Sequence, residues 1–438
     1  MTTTTSSTLC DLPAQKLVDL LKSRQCSSRE IVASCLARIA TLEPNLHAFV
    51  EIDEDGALRR AKEIDDHDRV PPLYGLPVAV KETVDVAGLT CSLGTEIHKS
   101  RRPTRDATVV KRLREAGAII IGTTVSTEYA IARAGPTTNP YDPLRTPGGS
   151  SSGSAAAVAA RMVPIGVGTQ TVGSIVRPSV YCGIFGLKPT KDVISTEGVM
   201  VLSPALDHVG PMCRTAEDTA LALMSMLEPV QYNSRSLHQT KLPERALRIE
   251  GPMPELIEPA SRTALDRAQE RLEASGIRFE EAKLSASFTH VVSCYETILF
   301  RDIARNHGQD RDICGERMSQ RMRDIIDAGR AVSDRSYHEA LAEARRYREE
   351  LSALLAEEAI ILAPATNGVA PIVSEGTGPS RLQGQWSLVG FPALAVPCGL
   401  VDGLPVGVQL VANRGRDALV LDAGTLFVAD APGELSVR

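Results

Sequence analysis

Three residues in this chain could run acyl-transfer chemistry between them. Lys81 closes an apolar run, Leu76-Pro77-Val78-Ala79-Val80; Ser150 follows 69 residues later in a glycine- and serine-dense stretch; Ser174 follows after another 24. A serine hydroxyl attacks a carbonyl only when a base takes its proton, and the usual base is histidine. The eight histidines are scattered, none lies in a Gly-x-Ser-x-Gly or HExxH context, and His208 in Leu206-Asp207-His208 reads as structural. Lysine can take the role if burial lowers its pKa from about 10.4 toward neutrality, because only the free amine accepts a proton. The alternative for Lys81 is a strand-end cation paired with Glu82 or Asp85.

The glycines and serines from Gly148 to Ser154 lead into Ala155-Ala156-Ala157-Val158-Ala159-Ala160, a helix of small residues suited to close packing. Its N-terminus would offer free N–H groups to an anion or to a hydroxyl losing its proton. A phosphate loop is the rival, but the Lys-Ser/Thr pair it needs is replaced by Ser154-Ala155. In Thr171-Val172-Gly173-Ser174, successive amides beside a serine are the parts of an oxyanion hole, with Ser174 as nucleophile. Taken alone, the tetrapeptide also reads as an ordinary turn.

Positioning these groups requires a sheet. Leu12, Leu17, Leu20 and Leu21 share helical spacing, Ser27-Ser28-Arg29-Glu30 is a capping box for a helix through Leu42, and 53–67 is a further helix. Leu73 to Val80 reads as a strand, Asp106 to Ala116 as a helix stopped by Gly117, and Ala118 to Gly122 as a buried strand. Such alternation predicts an α/β protein. The segment 240–358 is charged and helical, notably over 333–357. Strand-like runs return at 359–364, 393–397 and 405–411. We divide the chain into a helical region at 1–68, a core at 69–230, a helical cover at 231–358, and strands with a helix at 359–438 that complete the sheet, all in one domain.

Composition narrows the function. A chain of 438 residues with 43% hydrophobic residues can bury a large core. A formal charge of −6 lacks the basic footprint of a nucleic-acid binder. Nine cysteines with no CxxC pair read as reduced thiols. The threonine-rich start has no signal-peptide pattern, and no run approaches about 18 apolar residues, so a cytoplasmic protein without membrane contact is expected.

Together, Gly75-Leu76-Pro77-Val78-Ala79-Val80-Lys81, the run from Gly148 to Ala159, and Gly168-Thr169-Gln170-Thr171-Val172-Gly173-Ser174-Ile175 resemble the amidase signature family in wording, order and spacing. Tyr181-Cys182-Gly183-Ile184-Phe185-Gly186-Leu187-Lys188-Pro189-Thr190 and Gly403-Leu404-Pro405-Val406-Gly407-Val408-Gln409 extend the resemblance over most of the chain. It implies a single large mixed, mostly parallel β-sheet covered by helices on both faces. It also implies a Ser-cisSer-Lys triad with Ser174 as nucleophile, Ser150 as proton bridge after a cis peptide, and Lys81 as base. Amides at Thr171, Val172 and Gly173 would hold the oxyanion, and no cofactor or metal is needed.

Two departures bear on substrate. Val172 stands where many relatives have glycine. Arg177 lies three residues after Ser174, one later than in many relatives, and this is similar to malonamidase-type members, whose arginine there clamps a substrate carboxylate. An internal ion pair is the alternative for Arg177. The expectation is therefore a hydrolase of small carboxamides, malonamate-like among them, with a small-molecule substrate, no nucleic-acid partner and a family-based homodimer. The alternative is the glutamine-amidase subunit of a tRNA-dependent amidotransferase; a non-catalytic binding protein on the same scaffold would have no reason to keep all three relay residues.

Overall fold

The computed structural model describes residues 8–67, 71–228, 242–282, 284, 286–355 and 358–430. The threonine-rich start, His238 and the expected segment junctions at 68–69 and 230–231 lie outside the described residues.

The first helices form where local signals place them. α1 (Ala14–Lys22) buries Leu17 and Leu21. α2 (Ser28–Leu46) starts at the Ser27–Glu30 capping box and ends at His47 in the left-handed region, running past the expected Leu42 and through Pro44. α3 (Glu54–Asp65) is capped by Asp53, α4 (Thr108–Glu115) ends before Gly117 at φ 88°, and α5 (Ser152–Ala159) follows the serine stretch. α6 (Val176–Tyr181) and α7 (Ala216–Met226) complete the first half. α8 (Pro259–Ala274), α9 (Val291–Cys314), α10 (Gln320–Ala331), α11 (Asp334–Leu355), α12 (Gly384–Val389) and α13 (Asp417–Gly424) belong to the second.

The strands are β1 (Phe49–Ile52), β2 (Pro77–Lys81), β3 (Ile119–Thr124), β4 (Ile165–Gln170), β5 (Phe185–Lys188) and β6 (His208–Cys213). They continue with β7 (Arg245–Arg248), β8 (Arg278–Glu280), β9 (Ala359–Pro364), β10 (Ala393–Val401) and β11 (Leu404–Ala412). Among the described residues they make one sheet in the order β1-β3-β2-β4-β6-β5-β10-β11-β9-β7-β8. The segment 231–358 thus supplies β7 and the edge strand β8 as well as helices.

The sheet is mixed and covered on both faces, but its expected parallel majority needs correction: six of the ten strand pairings are antiparallel. Connection length explains the balance. β10 and β11 are joined through Asp402-Gly403, both at positive φ, and so tight a hairpin can only be antiparallel. Parallel neighbours occur where a helix crosses over, as with α4 between β2 and β3 and α8 between β7 and β8.

Alternation along the strands builds two cores. Ile360, Leu362, Leu394 and Val396 enter one with Leu265, Leu272 and Leu421, whereas Ile361, Ala363, Ala393 and Ala395 enter the other with Ile298, Tyr347 and Trp386. β2 and β4 are parallel neighbours, so their carboxyl ends lie side by side, bringing Lys81 next to the end of β4. α5 packs close to the start of β1 and the end of β3 because Gly153 has no Cβ. An alanine methyl there would run into the Ala48 carbonyl and the Val125 amide, both rigid backbone. Gly153→Ala is expected to cost about 1–3 kcal/mol, visible as a lower Tm in scanning calorimetry. An unchanged Tm would show that α5 can shift freely.

Candidate active site

Lys81 is fully buried, and its Nζ lies 2.7 Å from Ser150 Oγ and 2.8 Å from Thr169 Oγ1. The competing ion pairs do not form. Asp85 binds Arg101, Glu82 accepts from the Ser126 amide, and no carboxylate among the described residues pairs with Lys81. Burial lowers its pKa to about 7, against the pull of Glu82 and Asp207, whose negative charges favour the ammonium, and with the push of Arg177, which opposes it. Near neutral pH a large fraction of this amine is therefore free to accept a proton.

Ser150 follows a cis Gly149-Ser150 peptide bond, and Ser174 lies in the turn between β4 and α6. The two loops are laced together where the Ser151 amide donates to the Ser174 carbonyl at 3.3 Å. Both serines line one cavity of about 1010 Å³. Among the described residues no hydrogen bond joins Ser150 Oγ to Ser174 Oγ. The Lys81–Ser150 leg is made, and for the second leg both serines line the cavity. Catalytic hydrogen bonds commonly shorten only once substrate is bound.

Thr171, Val172 and Gly173 line the same wall. Among the described residues, the amides from Thr171 to Ser174 have no protein acceptor. The turn holding them is braced from behind: Gln170 Oε1 accepts from the Ile175 and Val176 amides, and the Thr171 hydroxyl donates to Asp207. Ser387 donates to the Val172 carbonyl at 3.3 Å, and Gln383 packs against Gly173. Free amides in a rigid turn are what a developing oxyanion needs.

Arg177 is buried in the first turn of α6, and it makes no ion pair among the described residues. Its Nε and Nη2 donate to the Gly149 carbonyl at 3.1 and 2.6 Å, and Nη1 donates to the Gly378 carbonyl. Burial lowers its pKa to about 10, which leaves it charged at neutral pH. The guanidinium thus ties the loop before Ser150 to the loop around Gly378, and one edge of it still lines the cavity.

Sequence reasoning did not single out Thr169, Asp207 or the far wall of the cavity. Thr169 was visible inside the Gly168–Ser174 motif, and Asp207 stood beside the histidine that drew attention. His208 is buried away from the cavity, its Nδ1 2.6 Å from the Leu206 carbonyl and its Nε2 3.2 Å from Lys188 Nζ. Glu296 and Phe300 of α9, Arg321 of α10 and Arg381 form the opposite wall. No local signal marks them as cavity residues. Among the described residues, no group of three or more His, Cys, Asp or Glu side chains could hold a metal ion, and no helix is long and apolar enough to cross a membrane.

A buried amine touching one serine, a second serine on the same wall and a turn of free amides are the equipment of an amide C–N hydrolase. The amidase family model matches residues 30–421, and the chain belongs to that family. A glutamyl-tRNA(Gln) amidotransferase subunit of Symbiobacterium thermophilum is 32% identical, over 94% of this chain and 95% of its own. An inhibitor-bound vestigial protein complex, which bears on the origins of an s-triazine catabolic enzyme, superposes with a TM-score of 0.87 at 30% identity, covering 95% of this chain and 98% of that one. The native peptide amidase of Stenotrophomonas maltophilia superposes with a TM-score of 0.83 at 26% identity, covering 98% of each chain.

These likenesses correct two expectations. The reading as a free-standing hydrolase of small, malonamate-like amides gives way, because the curated relatives that match nearly end to end are amidotransferase subunits. The expectation of a small-molecule substrate alone, with no nucleic-acid link and a homodimer as the assembly, falls with it. Net charge describes one chain and says nothing of an assembly it could belong to. One subunit can serve a tRNA-dependent reaction while its partners carry the contacts to nucleic acid.

Proposed function

We propose that the chain is the amide-hydrolysing subunit of an amidotransferase, working in the cytoplasm on the side-chain carboxamide of glutamine. The near-complete overlap with the glutamyl-tRNA(Gln) amidotransferase relatives carries this reading. In the first half-reaction Ser174 Oγ attacks the carboxamide carbon, its proton moves to Ser150, and the Ser150 proton moves to the Lys81 amine. The carbonyl oxygen becomes an oxyanion held by the amides of Thr171, Val172 and Gly173. As the C–N bond breaks, a proton returns through Ser150 to the leaving nitrogen, and ammonia departs. Water then hydrolyses the glutamyl ester by the same relay, regenerating Ser174 and releasing glutamate.

The malonamidase-type likeness of Arg177 does not enter this reading, since three of its N–H groups already serve the Gly149 and Gly378 carbonyls. The test is ammonia release from glutamine, measured for the chain alone and then with partner subunits from the same organism and misacylated tRNA. Turnover rising at least about tenfold in the assembly is the expected result. Efficient hydrolysis of other amides with none of glutamine in either setting would overturn it.

A further inference from the structure

Behind the turn of free amides lies a buried carboxylate that the reaction scheme above does not use. Asp207 Oδ1 accepts from the Thr171 hydroxyl at 2.7 Å, and Oδ2 accepts from the amides of Leu202 and Ser203 at 2.8 and 2.9 Å. The 202–207 turn is fastened in its own right to the helices over the cavity. Ser203 Oγ donates to Asp302 Oδ2 at 2.6 Å, Tyr337 of α11 donates to Asp302 Oδ1 at 2.8 Å, and Asn306 Nδ2 donates to the Leu202 carbonyl at 3.1 Å. Asp302 and Asn306 belong to α9, the helix that carries Glu296 and Phe300 on the far cavity wall. A continuous set of hydrogen bonds therefore runs from the start of the amide turn to the helical cover.

We propose that Asp207 is a positioning residue that holds the Thr171 end of the oxyanion turn in register with the helical cover over the cavity. The inference rests on the reading of Ser174 as nucleophile. It adds that oxyanion binding depends on a side chain that touches no substrate. The carboxylate has a second effect, because its charge favours the ammonium form of Lys81. The other charged groups acting on Lys81 are Glu82 and Arg177, and Lys191 acts on Asp207. Burial raises the Asp207 pKa to about 6, despite the hydrogen bonds from Thr171, Leu202 and Ser203, so it is charged over the range in which Lys81 loses its proton. Removing that charge moves the proton affinity of Lys81 down, and an asparagine, with one acceptor oxygen in place of two, cannot accept from Thr171 on one side and from the Leu202 and Ser203 amides on the other at the same time.

The experiment labels Ser174 with a small fluorophosphonate, whose phosphoryl oxygen occupies the same hole, and so needs no natural substrate. Asp207→Asn is expected to lower the maximal labelling rate by about 10- to 100-fold, below the loss of roughly 10²- to 10³-fold that follows removal of an oxyanion donor outright, with little change in half-saturation. Its acid limb should lie at lower pH than that of the wild type. Thr171→Val should show the rate loss without the limb shift, and Thr171→Ser, which keeps the hydroxyl, should label at close to the wild-type rate. These two variants decide the matter if Asp207→Asn does not fold. A labelled wild type with Asp207→Asn and Thr171→Val reacting as fast as it does overturns this inference alone. A wild type that takes no label at Ser174 overturns the nucleophile assignment and the inference with it.

Discussion

Ser174→Ala is expected to reduce amide turnover by on the order of 10⁴- to 10⁶-fold in kcat, the scale seen when an enzyme loses a nucleophile that acts in concert with its base. The substitution removes one oxygen from the cavity wall. It leaves intact the carbonyl that binds the Ser151 amide and the Ser174 backbone amide. Tm should therefore stay where it is and substrate should still bind. Single-turnover ammonia release, read beside calorimetry, tests both halves, and turnover persisting in a folded variant would remove Ser174 from the mechanism.

Lys81→Met should be nearly as severe, because Ser150 would have nowhere to send a proton. The double variant Lys81→Met, Ser174→Ala should be no slower than the worse single one, since members of a relay fail as a unit. The pH profile supplies a second observable. The folded pKa of Lys81 is pushed down to about 7, mainly by burial, and the base is the neutral form. In the wild type kcat/KM should thus be full above that pH and fall as pH drops through about 7, with one proton taken up. Lys188 is a needed control, for burial lowers it to about 7 as well. It bonds the Pro189 carbonyl and His208 rather than a cavity serine, so Lys188→Met should leave the limb in place. A limb that survives in a slow but active Lys81 variant, or vanishes with Lys188, would assign the base elsewhere.

The readable parts of this molecule were those governed by near neighbours. Ser27 and Glu30 announce a helix start because their side chains satisfy amides three residues away. The strand at 359–364 matched residue for residue, since a short β-branched and apolar run between polar flanks has few other uses. Elsewhere neighbours were not enough: α2 ran past Leu42 through Pro44, and the turn at Ser174 leads straight into α6 at Val176, a helix that no local signal announced. Lys81, Ser150 and Ser174 were legible as a set only because their motifs occur together in one order; any one motif alone is an ordinary turn or an ordinary lysine.

By itself, then, the chain's order of residues determined which side chains could do chemistry, the α/β class and most helix and strand positions, because these follow from contacts within a few residues. Tertiary structure alone decided that Lys81 is buried without a counter-ion among the described residues, that Arg177 reaches the Gly149 and Gly378 carbonyls, and that Asp207 backs the amide turn. It also decided the antiparallel majority of the sheet and the far wall of the cavity. Each of these depends on segments tens to hundreds of residues apart meeting in space, and burial, which sets the proton affinity of the lysine, is a property of that meeting and of no single stretch of chain.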